Sequence, residues 1–219
     1  MSLDIDFKGK RVLVTAGTKG LGKAVVGLLK QLGATVLTTA RHVPEINIAD
    51  AFVAADLATV AGCASVVSAV QEQMRGVDVI VHVAGGSTAP GGGFAALGED
   101  EWQQELNLNL LPAVRLDRAL LPGMLAQGNG VIIHVTSIQR ELPLPESTTG
   151  YAAAKAAMKI FNNYVTKGTK RVLTGFKTKD FKYKYFMTPA AFKAQHLNFS
   201  KLEYEQYKGH VFFVDWISG

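Results

Sequence analysis

Tyr151 and Lys155 stand four residues apart in the run Tyr-Ala-Ala-Ala-Lys, fourteen residues after Ser137. On a helix, positions i and i+4 share one face, so an ammonium at 155 lies near a phenol at 151. A neighbouring cation favours the phenolate over the neutral phenol. A group that ordinarily ionises near ~10 then becomes an acid or base usable near neutrality. The same five residues also describe a helix with one aromatic and one solvated lysine, so the elements that would position them decide the matter.

The front of the chain supplies such elements. Arg11–Thr15 is a short apolar, β-branched run that predicts a buried strand. It leads into Ala16, Gly17, Thr18, Lys19, Gly20, Leu21 and Gly22, and then into an apolar-periodic helix closed by Gly33. Strand, glycine-rich turn and helix is the context of a dinucleotide-binding fingerprint: glycines allow close backbone approach, and the helix N-terminus offers N–H groups to a pyrophosphate. A second strand, Ala34–Thr39, is followed by Arg41, where many NAD sites carry an acid for the ribose 2′-hydroxyl. With Lys19 in the loop, two cations would face that ribose. This favours a 2′-phosphate, hence NADP, with NAD as the alternative.

Further strands are predicted at Phe52–Ala55, ahead of Asp56 and Leu57, at Val77–Val83, ahead of Ala84, Gly85 and Gly86, and at Val131–Thr136, which delivers Ser137. A helix rich in Ala and Val runs to about Met74. Another opens at Glu99 with acids in its first turn, and Pro112 should bend or divide it. Alternating units with nearly continuous apolar strands predict an α/β fold, a Rossmann-like doubly wound parallel sheet with helices on both faces. Ligands in such sheets bind beyond the carboxyl ends of the strands.

Over residues 7 to about 160 the chain resembles the short-chain dehydrogenase/reductase family. Thr15–Gly22 is similar to that family's Thr-Gly-x-x-x-Gly-x-Gly loop, with Ala16 in place of the first glycine. Lys19 matches the basic residue of NADP-preferring members. Asp56 and Leu57 resemble the pair that contacts adenine. His82-Val-Ala84-Gly85 stands where the family shows Asn-Asn-Ala-Gly. Asn109, preferred over Asn107 by its phase with the following helix, joins Ser137, Tyr151 and Lys155 as the family's catalytic set. The resemblance implies that Tyr151 exchanges a proton with a substrate oxygen while hydride moves at the nicotinamide. Lys155 would lower the tyrosine pKa and bind the ribose, Ser137 would hold the substrate oxygen, and Asn109 would hold a water leading from Lys155 to solvent. It also implies a homo-oligomer, dimer or tetramer, through helices near 100–125 and 150–165.

The last sixty residues differ. Residues 1–158 hold 12 Lys+Arg and 14 Asp+Glu, whereas residues 159–219 hold 11 and 4, so the net +5 of the chain comes from this segment. Residues 171–175 and 210–215 are candidate sixth and seventh strands. Between them, Lys177–Phe186 alternates lysines with aromatics. An edge strand protected by lysines fits that pattern better than a single-stranded nucleic-acid surface, since no nucleic-acid motif accompanies it. We expect one domain over 1–219, with 159–219 as a distinct, truncated or replaced substrate-binding region. The chain has no apolar run long enough for a membrane span and no signal-like start, and its single cysteine, Cys63, fits a reducing cytoplasm. Its five histidines show no ligand spacing, so no metal site is expected. The expected function is an NADP(H)-dependent oxidoreductase acting on a small carbonyl or secondary alcohol. The alternative is a catalytically inactive dinucleotide-binding or interaction protein.

Overall fold

A computed structural model describes residues 6–142, 144 and 148–162 with their side chains, and the backbone of 163–168, 172–174 and 211–218. The strands are β1 (Arg11–Thr15), β2 (Thr35–Ala40), β3 (Ala51–Ala54), β4 (Val79–His82), β5 (Gly130–Ser137), β6 (Val172–Thr174) and β7 (Val211–Ser218). The helices are α1 (Gly20–Gln31), α2 (Val60–Met74), α3 (Glu99–Asn109), α4 (Leu111–Ala126) and α5 (Thr149–Gly168). The strands form one sheet in the order β3-β2-β1-β4-β5-β7-β6, and every pairing is parallel. The two late strands expected from short apolar runs therefore extend the sheet, with β7 beside β5 and β6 at the outer edge. The lysine–aromatic run at 177–186 lies outside the described residues.

Alternation along each strand divides the apolar residues between two cores. Leu13, Leu37, Ile80 and Ile132 face one layer, which α2 and α4 cover with Val66, Val70, Leu116, Leu120 and Met124. Val12, Val14, Val36, Val79 and Val81 face the other, covered by Val26 and Leu29 of α1. Burial on both sides is why these strands read as continuous apolar runs and not as alternating ones. Cys63 is 3% exposed in the first core, and burial pushes its thiol pKa up. No described helix is long and apolar enough to cross a membrane.

Helix boundaries follow local chemistry. Thr59 caps α2 by accepting the Gly62 N–H at 2.9 Å. Pro112 divides the long helical segment as expected: α3 stops at Asn109, Leu110 leaves helical geometry, and proline enters the first turn of α4, where it lacks only an N–H that would be unpaired anyway. That break places Asn109 at the end of a helix.

The turn after β1 is tightly packed. A Cβ on Gly17 would lie 2.0 Å from Thr38 Oγ1, and one on Gly22 would lie 2.2 Å from the Ala16 carbonyl oxygen. Only hydrogens fit at these two positions. Ala16 itself sits at φ +55°, a left-handed conformation that an L side chain adopts at a cost of roughly 1–2 kcal/mol. Substituting Ala16→Gly should therefore stabilise the fold by about 0.5–1 kcal/mol, since relief of this strain exceeds the added freedom of the unfolded chain. Thermal unfolding would read this as a midpoint a few degrees higher; a lowered midpoint would contradict the strain assignment.

Candidate active site

The carboxyl ends of five strands bring the candidate residues to one edge of the sheet. Ala16–Gly22 follows β1, Arg41 follows β2, Asp56 and Leu57 follow β3, Ala84–Gly86 follows β4, and Ser137 ends β5. In the loop, Gly17 is buried, Thr18 is half-buried, and Lys19, Gly20 and Leu21 are exposed. Among the described residues no side chain caps the start of α1, so its first-turn N–H groups point outward beside this loop. Lys19 and Arg41 are both exposed cations at this edge. The Asp56 carboxylate accepts the Ala58 N–H at 3.0 Å and so shapes its own turn, while Leu57 is buried in the core.

The asparagines that the resembled family carries after β4 are absent, and a threonine takes over the support of that strand end. Thr15 Oγ1 accepts the N–H groups of Val83 at 2.9 Å and Ala84 at 3.0 Å. The end of β1 thereby fixes the Ala84–Gly86 turn directly. Nothing in the spacing of Thr15 signalled this; it follows from β1 and β4 being neighbours.

Lys155 and Asn109 meet at that turn. A Cβ on Gly85 would lie 2.9 Å from Lys155 Nζ and 3.0 Å from Asn109 Oδ1. Lys155 is 2% exposed and Asn109 is fully buried. The ammonium donates to the Val135 carbonyl of β5 at 3.1 Å and lies 5.7 Å from the centroid of the Tyr151 ring, within cation–π range. The shared helix face expected of positions 151 and 155 is thus present on α5. Asn109 Oδ1 accepts the Gly86 N–H at 2.9 Å, and its Nδ2 donates to Gly86 O at 2.8 Å. Asn107, the rival in sequence, accepts from Arg115 at 3.2 Å and is not part of this group. Ser137 is 5% exposed, and its hydroxyl oxygen accepts the Gln139 N–H at 3.2 Å, a local turn that leaves the hydroxyl proton for another acceptor.

Behind this edge lies a cluster that sequence reasoning missed. His82 of β4 and His134 of β5 are register partners, and their rings stack at 4.8 Å with 8° between planes. Asp117 of α4 reaches between them: His82 Nε2 is 2.7 Å from Oδ1 and His134 Nε2 is 3.0 Å from Oδ2. All three are almost wholly buried. The ligand atoms lie within 4.8 Å of one another, a donor set that could hold a metal ion. The N···O separations, however, are those of two N–H groups each donating to one carboxylate oxygen. The histidines are far apart in sequence, which hid their pairing. The available signal was Asp117, an acid within the apolar stripe Ala113, Leu116, Leu120, Leu121 and Met124.

Burial lowers the His82 pKa and outweighs the opposing pull of Asp117, so the ring is neutral at pH 7. Burial alone would raise the Asp117 carboxyl; attraction to the two rings and their hydrogen bonds outweigh it and hold the group at about 2, against an ordinary 3.8. A depressed carboxyl contributes stability above its ordinary value and loses it as pH falls through the folded value. A depressed histidine works in the same direction: below about 6.5 the unfolded chain takes up a proton that the folded chain refuses. Stability should therefore decline from pH 7 downward, with Asp117 carrying about 2 kcal/mol between pH 4 and pH 2. Thermal midpoints measured across pH for wild type and Asp117→Asn should converge at the acid end. Parallel curves over the whole range would contradict the assignment.

Comparisons with known proteins bear on the family and the fold. The short chain dehydrogenase family profile matches residues 10–171. A short chain dehydrogenase of Pseudocercospora fijiensis is 30% identical over 174 residues, covering 71% of this chain and 53% of that protein. The crystal structure of L-sorbose reductase from Gluconobacter frateurii, complexed with NADPH and L-sorbose, superposes with a TM-score of 0.69 at 31% identity, covering 75% of this chain and 66% of that one. An NADH-dependent reductase complexed with NAD gives a TM-score of 0.70 at 26% identity, covering 74% and 73%. The chain thus spans from about half to two thirds of the length of the first two of these relatives.

Proposed function

The chain belongs to the short-chain dehydrogenase family, and we propose that it is an oxidoreductase moving a hydride between NADP(H) and a small carbonyl or secondary alcohol. The observation that carries this reading is the meeting of Lys155 and Asn109 at the bare backbone of Gly85, with the Tyr151 ring against the same ammonium. In the direction of reduction, Tyr151 gives its phenolic proton to the carbonyl oxygen as the carbon receives hydride, and in oxidation it takes that proton back. Lys155 stabilises the phenolate so formed. Ser137 donates its hydroxyl proton to the same substrate oxygen. Asn109 holds the turn in place and offers its carbonyl oxygen on the Lys155 side.

The residues present fit a dinucleotide. Gly17, Gly20 and Gly22 bring backbone close, and the uncapped start of α1 suits a pyrophosphate. Thr18 and Leu21 complete this loop, Asp56 and Leu57 flank the adenine side, and Ala84 and Gly85 flank the ribose side. A bound nicotinamide would supply the hydride. Lys19 and Arg41, with no acid directly after β2, support NADP over NAD through attraction to a 2′-phosphate. The placement of β6 and β7 in the same sheet supports a single domain that includes part of residues 159–219. A homo-oligomer working in the cytoplasm completes the proposal.

Purified protein should bind NADPH more tightly than NADH in fluorescence titrations, and indifference to both would end the cofactor assignment. With a carbonyl substrate found by screening, Tyr151→Phe should keep NADPH binding while turnover falls by about 10²–10⁴-fold, the scale of lost general acid catalysis. Unchanged turnover would remove Tyr151 from the mechanism. NADPH binding without turnover on any ketone or alcohol would favour the inactive dinucleotide-binding alternative.

A further inference from the structure

Glu105 is a buried acid, 3% exposed, that the proposed mechanism does not use. It sits on α3 one turn before Asn109, so the two side chains share a helix face. Two donors converge on its carboxylate: the Ser87 hydroxyl meets Oε1 at 2.6 Å, and Asn109 Nδ2 meets Oε2 at 2.9 Å. A third segment touches it as well. A Cβ on Gly150 would lie 3.0 Å from Glu105 Cγ and 3.2 Å from its Cβ, and Gly150 directly precedes Tyr151. One side chain thus contacts the turn after β4, the end of α3 and the start of the tyrosine helix.

Its carboxylate is one of three acceptors that set which way the Asn109 amide faces: Nδ2 also donates to the Gly86 carbonyl at 2.8 Å and to the backbone carbonyl of Glu105 at 3.1 Å. A carboxylate oxygen accepts from the amide nitrogen, so Glu105 adds to the pull that turns Nδ2 to its side. The Gly86 N–H, which only donates, holds the amide oxygen on the opposite side at 2.9 Å. That oxygen then lies beside the point where a Gly85 Cβ would stand, the same point that Lys155 Nζ approaches. With the amide reversed, two N–H groups would confront the ammonium. Resting on the function proposed above, we propose that Glu105 is a positioning residue: it orients Asn109 so that an acceptor faces Lys155, and it sets the α3–α5 spacing at Tyr151.

The test uses Glu105→Leu, which removes the side-chain acceptor and leaves the two backbone ones, Glu105→Gln, which keeps one oxygen for Asn109, and Glu105→Asp, which withdraws the carboxylate by one methylene. Glu105→Leu should lower kcat by about tenfold to a hundredfold, the scale of a hydrogen bond to a charged group, with KM and the Kd for NADPH unchanged. Glu105→Gln should recover most of that loss, and Glu105→Asp should fall between the two. If Glu105→Leu does not fold, the ordering of the Gln and Asp variants still decides. Wild-type kcat in Glu105→Asp and Glu105→Leu would overturn the proposal, as would equal loss in all three variants alongside weakened NADPH binding. Orientation can also be read without turnover. The Asn109 side-chain amide protons should exchange slowly with solvent in wild type and faster in Glu105→Leu and Glu105→Asp. Unchanged exchange would overturn the proposal even if the wild type turned over no carbonyl, a result that would separately refute the catalytic function.

Discussion

An ammonium buried at the edge of a parallel sheet is the constraint around which the rest of this structure is arranged. Taking a charge out of water is expensive unless polar groups replace its hydration. Lys155 is 2% exposed, and its surroundings are what such a group requires: the Val135 carbonyl, the face of Tyr151, and the Asn109 amide on the far side of a glycine. Gly85 has no side chain because the volume where one would start is bordered by the ammonium and the amide oxygen. The turn carrying that glycine is fixed in turn by Thr15, whose hydroxyl oxygen receives two N–H groups from the end of β4. The chain of dependence therefore runs from the end of β1, through a three-residue turn, to the lysine that lies against the Tyr151 ring.

Two buried carboxylates stand behind this arrangement in different layers. Asp117 ties β4, β5 and α4 together through two histidines, and His134 Nδ1 continues the chain to Asn162 of α5 at 3.1 Å. Glu105 ties α3 to the turn after β4 and lies against the start of α5. Fully paired polar groups of this kind add direction to an otherwise apolar core, because each bond is satisfied in only one packing of the elements. In this protein, α4 and α3 each carry one acid into the interior, and both acids face segments that bear candidate site residues.

Much of the fold was legible because its signals are local. The apolar run Arg11–Thr15 is β1 to the residue, Gly33 takes φ +88° just past the first helix, and Pro112 divides α3 from α4. Strand ends elsewhere shifted by one to three residues, as with β4, read as Val77–Val83 and found as Val79–His82, and β7, read as 210–215 and found as Val211–Ser218. Helical spacing made the proximity of Tyr151 and Lys155 legible, and the two side chains do meet on α5. What stayed hidden depends on sheet order. His82 and His134 are neighbours because β4 pairs with β5, and Thr15 supports Val83 and Ala84 because β1 pairs with β4. No periodicity within one segment contains that information. Glu105 escaped for a related reason: an acid on a predicted helix reads as solvated until the helix opposite it is known.

Bare backbone at Gly85 lets Lys155 and Asn109 close on one point. The most direct test of this is the turnover of Gly85→Ala measured beside Gly91→Ala, whose added Cβ would meet nothing within 4 Å. Gly85→Ala should keep its circular dichroism spectrum but lose turnover by tenfold or more (about 1.4 kcal/mol of barrier or above), while Gly91→Ala should match wild type. Wild-type turnover in Gly85→Ala would contradict it.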